Sequence, residues 1–276
     1  MTLIHRVQNV TSLEVDELAA YRTLRRPMDH FREGIFVAEG QNVVRRLLES
    51  DIEILSMLLT PEWFDQLFAG HETEARAGYP VFLAPKELLQ TIVGFHLHQG
   101  IMALARIPAR RELEETLQQI SPPHLLVALD GLNHAENVGV IVRNAAGFGV
   151  DAIIVGETSC SPYMRRAVRN SMGTVFSLPT VQVEHLATAL TTIKRQFRTI
   201  VYATDPGGHV PISSVDLGGN ACIVFGNEGS GISNEILSIS HQRVVVPMQR
   251  GTDSLNVASA SAVCLYEASK QRREGT

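Results

Sequence analysis

Residues 124–156 read HLLVALDGLNHAENVGVIVRNAAGFGVDAIIVG. The run HLLVALDG is apolar until it meets Asp130 and Gly131, and DAIIVG repeats that form after a helix-like stretch rich in Val, Ile and Ala. Strand, helix and strand in that order make a crossover unit, the building block of a parallel sheet. The same kind of apolar run returns in FRTIVYATD (197–205), NACIVFGNE (220–228) and QRVVVPM (242–248), separated by helical segments. Near-continuous Val, Ile and Leu runs imply strands buried on both faces, so the second half of the chain is expected to be a doubly wound α/β domain. Such sheets bind ligands beyond the carboxyl ends of their strands.

Working outward, shorter apolar runs alternate with amphipathic ones from Gly34 to Arg106: GIFVAEG, QNVVRRLLES, ILSMLLT, PEWFDQLFAG, VFLA, PKELLQTIVG and GIMALARI. They predict a smaller α/β unit alternating strand and helix. The preceding SLEVDELAAYRTLRR (12–26) reads as helical, with Ser12 as its N-cap. IPARRELEETLQQISPP (107–123), charged and polar between prolines, reads as a linker with a short helix. The domains expected are therefore 1–107, a linker at 108–123, and 124–276.

The composition is that of an ordinary globular chain, with 276 residues, 45% hydrophobic and 19% charged. No apolar run approaches the roughly 20 residues that cross a bilayer, and MTLIHRVQNV lacks the apolar core of a leader, so a cytoplasmic protein without membrane partners is expected. Cys160, Cys222 and Cys264 are far apart and predict neither a disulfide framework nor a metal site. A net charge of −5 excludes a chain that is basic all over, though not a local basic face. The cations are nearly all Arg, which suits bidentate phosphate contacts or reflects codon usage.

Three strands of the second half run into polar or glycine-rich clusters. The first carries Asn133, Glu136, Asn137, Gly139 and Arg143. The second, GNEGSGIS (226–233), lacks the Lys of a P-loop and the spacing of a dinucleotide loop. A tight turn capped by Ser233 explains Gly231 and Ser233 but leaves Glu228 without a reason. The third, PMQRGTDSLNVASASAV (247–263), sets Ser254, Asn256, Ser259 and Ser261 at the start of a helix. Close helix packing accounts for Ser259 and Ser261, and Ser254 reads as an N-cap, whereas an amide at Asn256 competes with the backbone and needs a reason. Arg143, among Val, Ile and Ala, reads as a buried arginine in need of a partner, either a salt bridge to Asp130 or Glu228 or a catalytic contact.

Together the clusters resemble the SpoU family of RNA ribose 2′-O-methyltransferases in the SPOUT superfamily. N-x-G-x-x-x-R stands as Asn137, Gly139 and Arg143; the second motif as FGNEGSGIS with Glu228; the third as VPM followed by SLNVASASAV with Ser254 and Asn256. FREGIFVAEGQNVVRRLLES and HQGIMALARI resemble the opening and closing of the family's L30e-like substrate-binding domain. One departure is Arg250, where many relatives have glycine.

The resemblance implies a deep trefoil knot, a homodimer paired through the knotted domain, and S-adenosyl-L-methionine as cofactor. It implies cofactor contacts at Thr204, Gly226 and Leu255, with Val246 and Met248 along the adenine, and catalytic roles for Asn137, Arg143, Glu228, Ser254 and Asn256. Arg143 would contact the ribose hydroxyl, with Glu228 holding Arg143 or Asn256. RNA phosphates are expected at Arg22, Arg25, Arg26 and Arg32 and at Arg165, Arg166 and Arg169, the last three reading equally as a solvated helix face. Ribosomal RNA of the 23S type is the substrate first implied; transfer RNA, or a non-catalytic RNA-binding role, is the alternative.

Overall fold

The structure is a computed structural model and describes residues 7–68, 78–93, 100–249 and 254–274. Along the chain run β1 (Val7–Asn9), α1 (Ala19–Arg22), α2 (Pro27–Arg32), β2 (Ile35–Glu39), α3 (Gln41–Leu48) and β3 (Ile54–Leu59). Then come α4 (Pro61–Phe68), β4 (Val81–Leu83), α5 (Lys86–Val93), β5 (Ile101–Arg106), α6 (Leu113–Gln118) and β6 (Leu125–Asp130). After these follow α7 (Ala135–Gly147), β7 (Ala152–Val155), α8 (Arg165–Asn170), β8 (Thr180–Gln182), α9 (Leu186–Gln196) and β9 (Ile200–Thr204). The last are β10 (Val210–Pro211), β11 (Ala221–Gly226), α10 (Asn234–Ile239), β12 (Gln242–Val245) and α11 (Val257–Glu274).

These elements form two compact units. Unit 1 holds residues 1–108 together with 163–176, and unit 2 holds 109–162 and 177–276. The chain thus passes between the units at 108/109, 162/163 and 176/177. That differs from the expected division in two ways. Most of the stretch read as linker belongs to unit 2, because Leu113 and Leu117 of α6 are buried in its core. The segment carrying α8 belongs to unit 1.

Unit 1 is a five-stranded sheet in the order β1-β4-β3-β5-β2, with β5 antiparallel to β3 and β2 and the other pairs parallel. Leu18, Tyr21, Leu58, Phe82, Leu89 and Met102 are central to its core. The buried Tyr21 hydroxyl donates to the Ser56 carbonyl at 3.0 Å and accepts the Leu104 amide at 3.2 Å, so its polar atom is satisfied. The helix expected over 12–26 shrinks to α1 and a single turn at Asp16–Leu18. Ser12 caps no helix there, since its Oγ accepts the Glu14 amide at 3.1 Å. Leu18, Tyr21 and Leu24 are buried, a three-residue spacing that a one-turn helix satisfies.

Unit 2 is a seven-stranded, all-parallel sheet in the order β10-β12-β9-β11-β6-β7-β8. One face buries Leu126, Ala128, Ile154, Cys222 and Val224 against α6, α9 and α10. Alternate residues such as Val127, Ile153 and Ile223 are buried on the other face, where α7 packs on α11 and α11 on β11. The order of the strands positions the site. β12, β9 and β11 are neighbours and parallel, with Val244 opposite Thr204, Val224 opposite Ala203 and Gly226 opposite Asp130, so their carboxyl ends open at one edge.

Candidate active site

At that edge lies a cavity of about 330 Å³, near the lower end of the range of about 300–1,000 Å³ usual for small-molecule sites. Thr204 closes β9, Gly226 closes β11, and Val244, Val245, Val246 and Met248 carry β12 into the pocket wall. Leu255, Val257, Ala260 and Cys264 close it from the α11 side. The five residues expected to hold a cofactor, Thr204, Gly226, Val246, Met248 and Leu255, therefore line one pocket, and Glu228 and Ser254 share it.

The floor of the pocket is built by a tight turn after β11. A Cβ on Gly226 would lie 2.5 Å from the Ile232 nitrogen and 2.6 Å from the Gly231 carbonyl carbon, so only glycine fits where the returning backbone crosses. Gly231 adopts φ +70° and exchanges backbone hydrogen bonds with Asn227 at 2.9 and 3.0 Å. Asn227 organises the loop further: its Oδ1 accepts the amides of Gly229 and Ser230, and its Nδ2 donates to the Gly131 carbonyl. The sequence reading passed over Asn227; its place after a strand and before two glycines is the signature of an Asx turn. On the far wall the Asp205 carboxylate is held by Arg243, with Nε 2.7 Å from Oδ2, and Thr204 Oγ1 donates to the Val224 carbonyl at 2.7 Å.

A polar chain joins the three sequence clusters. Asn137, in the first turn of α7, donates through Nδ2 to Glu228 Oε1 and accepts through Oδ1 from Asn256 Nδ2 at 3.3 Å. Asn256 Oδ1 in turn accepts the Ala258 amide at 2.9 Å. Asn256, and not Ser254, is therefore the residue that caps α11, which gives its side chain a structural reason beside any chemical one. Asn144, another residue the sequence reading missed, donates to the Ala258 carbonyl and Ser261 Oγ, both at 3.0 Å, and ties α7 to α11.

Arg143 departs from expectation. Its side chain is exposed, and among the described residues it makes no hydrogen bond or ion pair. The acids read as its partners are otherwise engaged: Asp130 accepts the Ser233 amide at 2.7 Å and Glu228 accepts Asn137. Val138, Ile141, Val142 and Ala145 form the buried face of α7, and Arg143 falls outside it. Asn137, Arg143 and Asn256 do not line the pocket of their own chain.

The cysteines near the site are not bases. Burial pushes the Cys264 thiol up to about 12. Burial also lifts Cys160, to about 11, with Glu136 and Glu228 adding to it against a backbone hydrogen bond. Among the described residues no cluster could hold a metal ion.

Of the arginines expected to meet RNA, Arg22 pairs with Glu14, and Arg32 stands 3.7 Å from Asp29 while largely exposed. Arg25, Arg26 and Arg166 are exposed. Arg165 is largely buried and bound to Glu39 at 2.6 Å, which takes it out of reach of a phosphate; Arg169 stands 3.8 Å from the other Glu39 oxygen with half its side chain exposed. Arg250 lies outside the described residues.

Residues 124–266 match the model of the SpoU rRNA Methylase family, and residues 37–111 match that for RNA 2′-O ribose methyltransferase substrate binding. The chain is 35% identical over 275 residues to an uncharacterized tRNA/rRNA methyltransferase of Mycobacterium tuberculosis, covering 96% of this chain and 92% of that one. It is 32% identical to the 23S rRNA (guanosine-2′-O-)-methyltransferase RlmB of Acinetobacter baylyi, covering 84% and 96%. The crystal structure of an AdoMet-bound rRNA methyltransferase from Sinorhizobium meliloti superposes with a TM-score of 0.79 at 26% identity, covering 96% of this chain and 98% of that one.

Proposed function

Because the chain belongs to the SpoU rRNA methylase family, we propose that it methylates a ribose 2′-hydroxyl of RNA, ribosomal RNA of the 23S type, with S-adenosyl-L-methionine as cofactor. The observation that carries this reading is the pocket at the ends of β9, β11 and β12, where a glycine-walled turn and an apolar wall meet Glu228 and Ser254. Its chemistry fits the cofactor. Val246, Met248 and Leu255 offer apolar surface to a purine, and the loop at Gly226–Gly231 brings backbone close to a flat ligand. When bound, S-adenosyl-L-methionine supplies a methyl group on a sulfonium centre.

The chain's own residues must then orient the hydroxyl and remove its proton. Asn137 fixes Glu228 and Asn256 against one another, so the polar rim is held before RNA arrives. Arg143, exposed and without a partner among the described residues, contacts the 2′-hydroxyl and the neighbouring phosphate. A guanidinium offers hydrogen-bond donors and no acceptor, so the proton passes to the phosphate or to water while Arg143 holds both groups.

The reading includes a homodimer paired through α7 and α11. Val263 and Tyr266 of α11 are 41% and 53% exposed, and Tyr266 stacks edge-on with Phe148 at the end of α7. In this reading the arginine of a second copy serves the first copy's pocket, since Arg143 is not among the residues lining the pocket of its own chain. It also includes a deep trefoil knot, supported by the path of the chain: after β12, beyond β9 in the sheet, the chain returns to pack α11 on β11 and α7.

Titration with S-adenosyl-L-methionine, together with mapping of 2′-O-methyl positions in ribosomal and transfer RNA from a deletion strain, tests the proposal. Loss of one ribosomal methyl, restored by the intact gene, is expected. A chain that binds no S-adenosyl-L-methionine, or a strain whose RNA methylation is unchanged, overturns it.

A further inference from the structure

The connection between β7 and β8 falls within the stretch that matches the methylase family, yet residues 163–176 pack into unit 1. It is held there from its first residue to its last by contacts at several points. The rings of Tyr163 and Phe176 lie 5.5 and 5.6 Å from that of Phe36. Arg165 binds Glu39 at 2.6 Å, with the two side chains only 16% and 11% exposed. Arg46 of α3 donates to the Met172 carbonyl at 2.7 Å and so holds a turn in which Met172 adopts φ 55°, a left-handed conformation unusual for methionine. A helix of six residues has little stability of its own, so these contacts, and not helix propensity, keep α8 in place.

Glu39 is the centre of this arrangement. Its nearly buried carboxylate is neutralised by Arg165, which leaves Arg169 as a second cation 3.8 Å away with 51% of its side chain in solvent. Arg46 stands at the same end of α8, since the Met172 amide accepted by the Arg169 carbonyl precedes the carbonyl that Arg46 binds.

We propose that Glu39 is a positioning residue for RNA: by binding Arg165 it seats residues 163–176 on unit 1, so that Arg169 and Arg46 together present a site for backbone phosphate. The inference rests on the RNA reading given above. RNA held there is attached to the methyl-transferring unit by three passages of the chain instead of one.

The test uses the full chain and compares wild type, Glu39→Ala, Glu39→Gln and the charge swap Glu39→Arg with Arg165→Glu. Glu39→Ala should keep S-adenosyl-L-methionine affinity and kcat at saturating ribosomal RNA within about twofold, and raise KM for the RNA about tenfold, as loss of an aligned charged contact would. The slope of log affinity against log salt should fall by about one, the signature of one lost phosphate contact. Amide exchange in 163–176 should accelerate in Glu39→Ala and be slowed again by the swap. Glu39→Gln, which keeps the size of the side chain, should show the same KM effect if Glu39→Ala folds poorly. With an active wild type, an unchanged KM or a loss confined to kcat overturns the role of Glu39 alone. A wild type that neither binds nor methylates RNA overturns the reading beneath it.

Discussion

Gly226 marks how little freedom the site allows a single residue. A methyl group there would press on the backbone of Gly231 and Ile232, which close the loop and cannot swing aside as a side chain could. Gly226→Ala should therefore destabilise the protein by about 2–3 kcal/mol, the scale of forced overpacking, and weaken S-adenosyl-L-methionine binding, as melting and calorimetry would show. Arg143 is the opposite case. Because it is exposed and has no partner among the described residues, its replacement by alanine should leave stability within about 0.5 kcal/mol and cofactor affinity unchanged, while turnover falls about 10²-fold or more. A mutant that melts early yet turns over normally per folded molecule would remove Arg143 from the mechanism. Asn137, Glu228 and Asn256 were legible in the sequence because polar groups beside apolar runs lacked a local explanation. The pairing among them was not, since hydrogen bonds across 91 and 119 residues depend on which strands are neighbours. The apolar sequence neighbours of Arg143 imply burial, while its position around the helix decides exposure.

At the level of elements, long apolar strands announced themselves and short ones did not. β1, β8 and β10 have two or three residues each and lie at the edges of their sheets, where pairing and not composition makes a strand. α11 shows what a helix can combine: one side lines the pocket through Val257, Ala260 and Cys264, and another leaves Val263 and Tyr266 in solvent. If that second side is the dimer face, Val263→Glu with Tyr266→Arg should yield monomers by light scattering that still bind S-adenosyl-L-methionine but no longer methylate RNA. A double mutant that remains dimeric and active would place the contact elsewhere. The capping role of Asn256 gives a further measurement. Asn256→Ala should cost about 1 kcal/mol of stability through the lost cap, and any fall in turnover beyond the unfolded fraction belongs to its contact with Asn137.

For the whole molecule, acid stability follows from histidines held neutral. Burial, aided by Arg272 and opposed by Asp151, lowers the pKa of His124, whose Nε2 lies 2.8 Å from Thr199 Oγ1. His241, lowered by burial and by Lys194, accepts the Val201 amide on Nδ1 and must be unprotonated there. A depressed folded pKa means that the unfolded chain binds the proton first. The stability these groups supply is present above the ordinary value of 6.5 and is lost as pH falls through the folded values. Melting temperature should decline between about pH 7 and pH 5, and His124→Gln should flatten that decline; a flat wild-type profile would contradict the assignment.

The two-part architecture was legible as two runs of alternating elements on either side of a proline-bounded stretch. That residues 163–176 belong to the first part was not, because nothing in their composition reveals which core they join. This has a consequence for synthesis. A ribosome delivers residues in order, so when residue 108 emerges, Phe36 and Glu39 face water and their partners do not yet exist. They wait through the making of β6, α7 and β7. The first unit to be translated is thus completed only after the second has been begun, and a cut at residue 108, however natural it looks in the sequence, would sever a module from its own last piece.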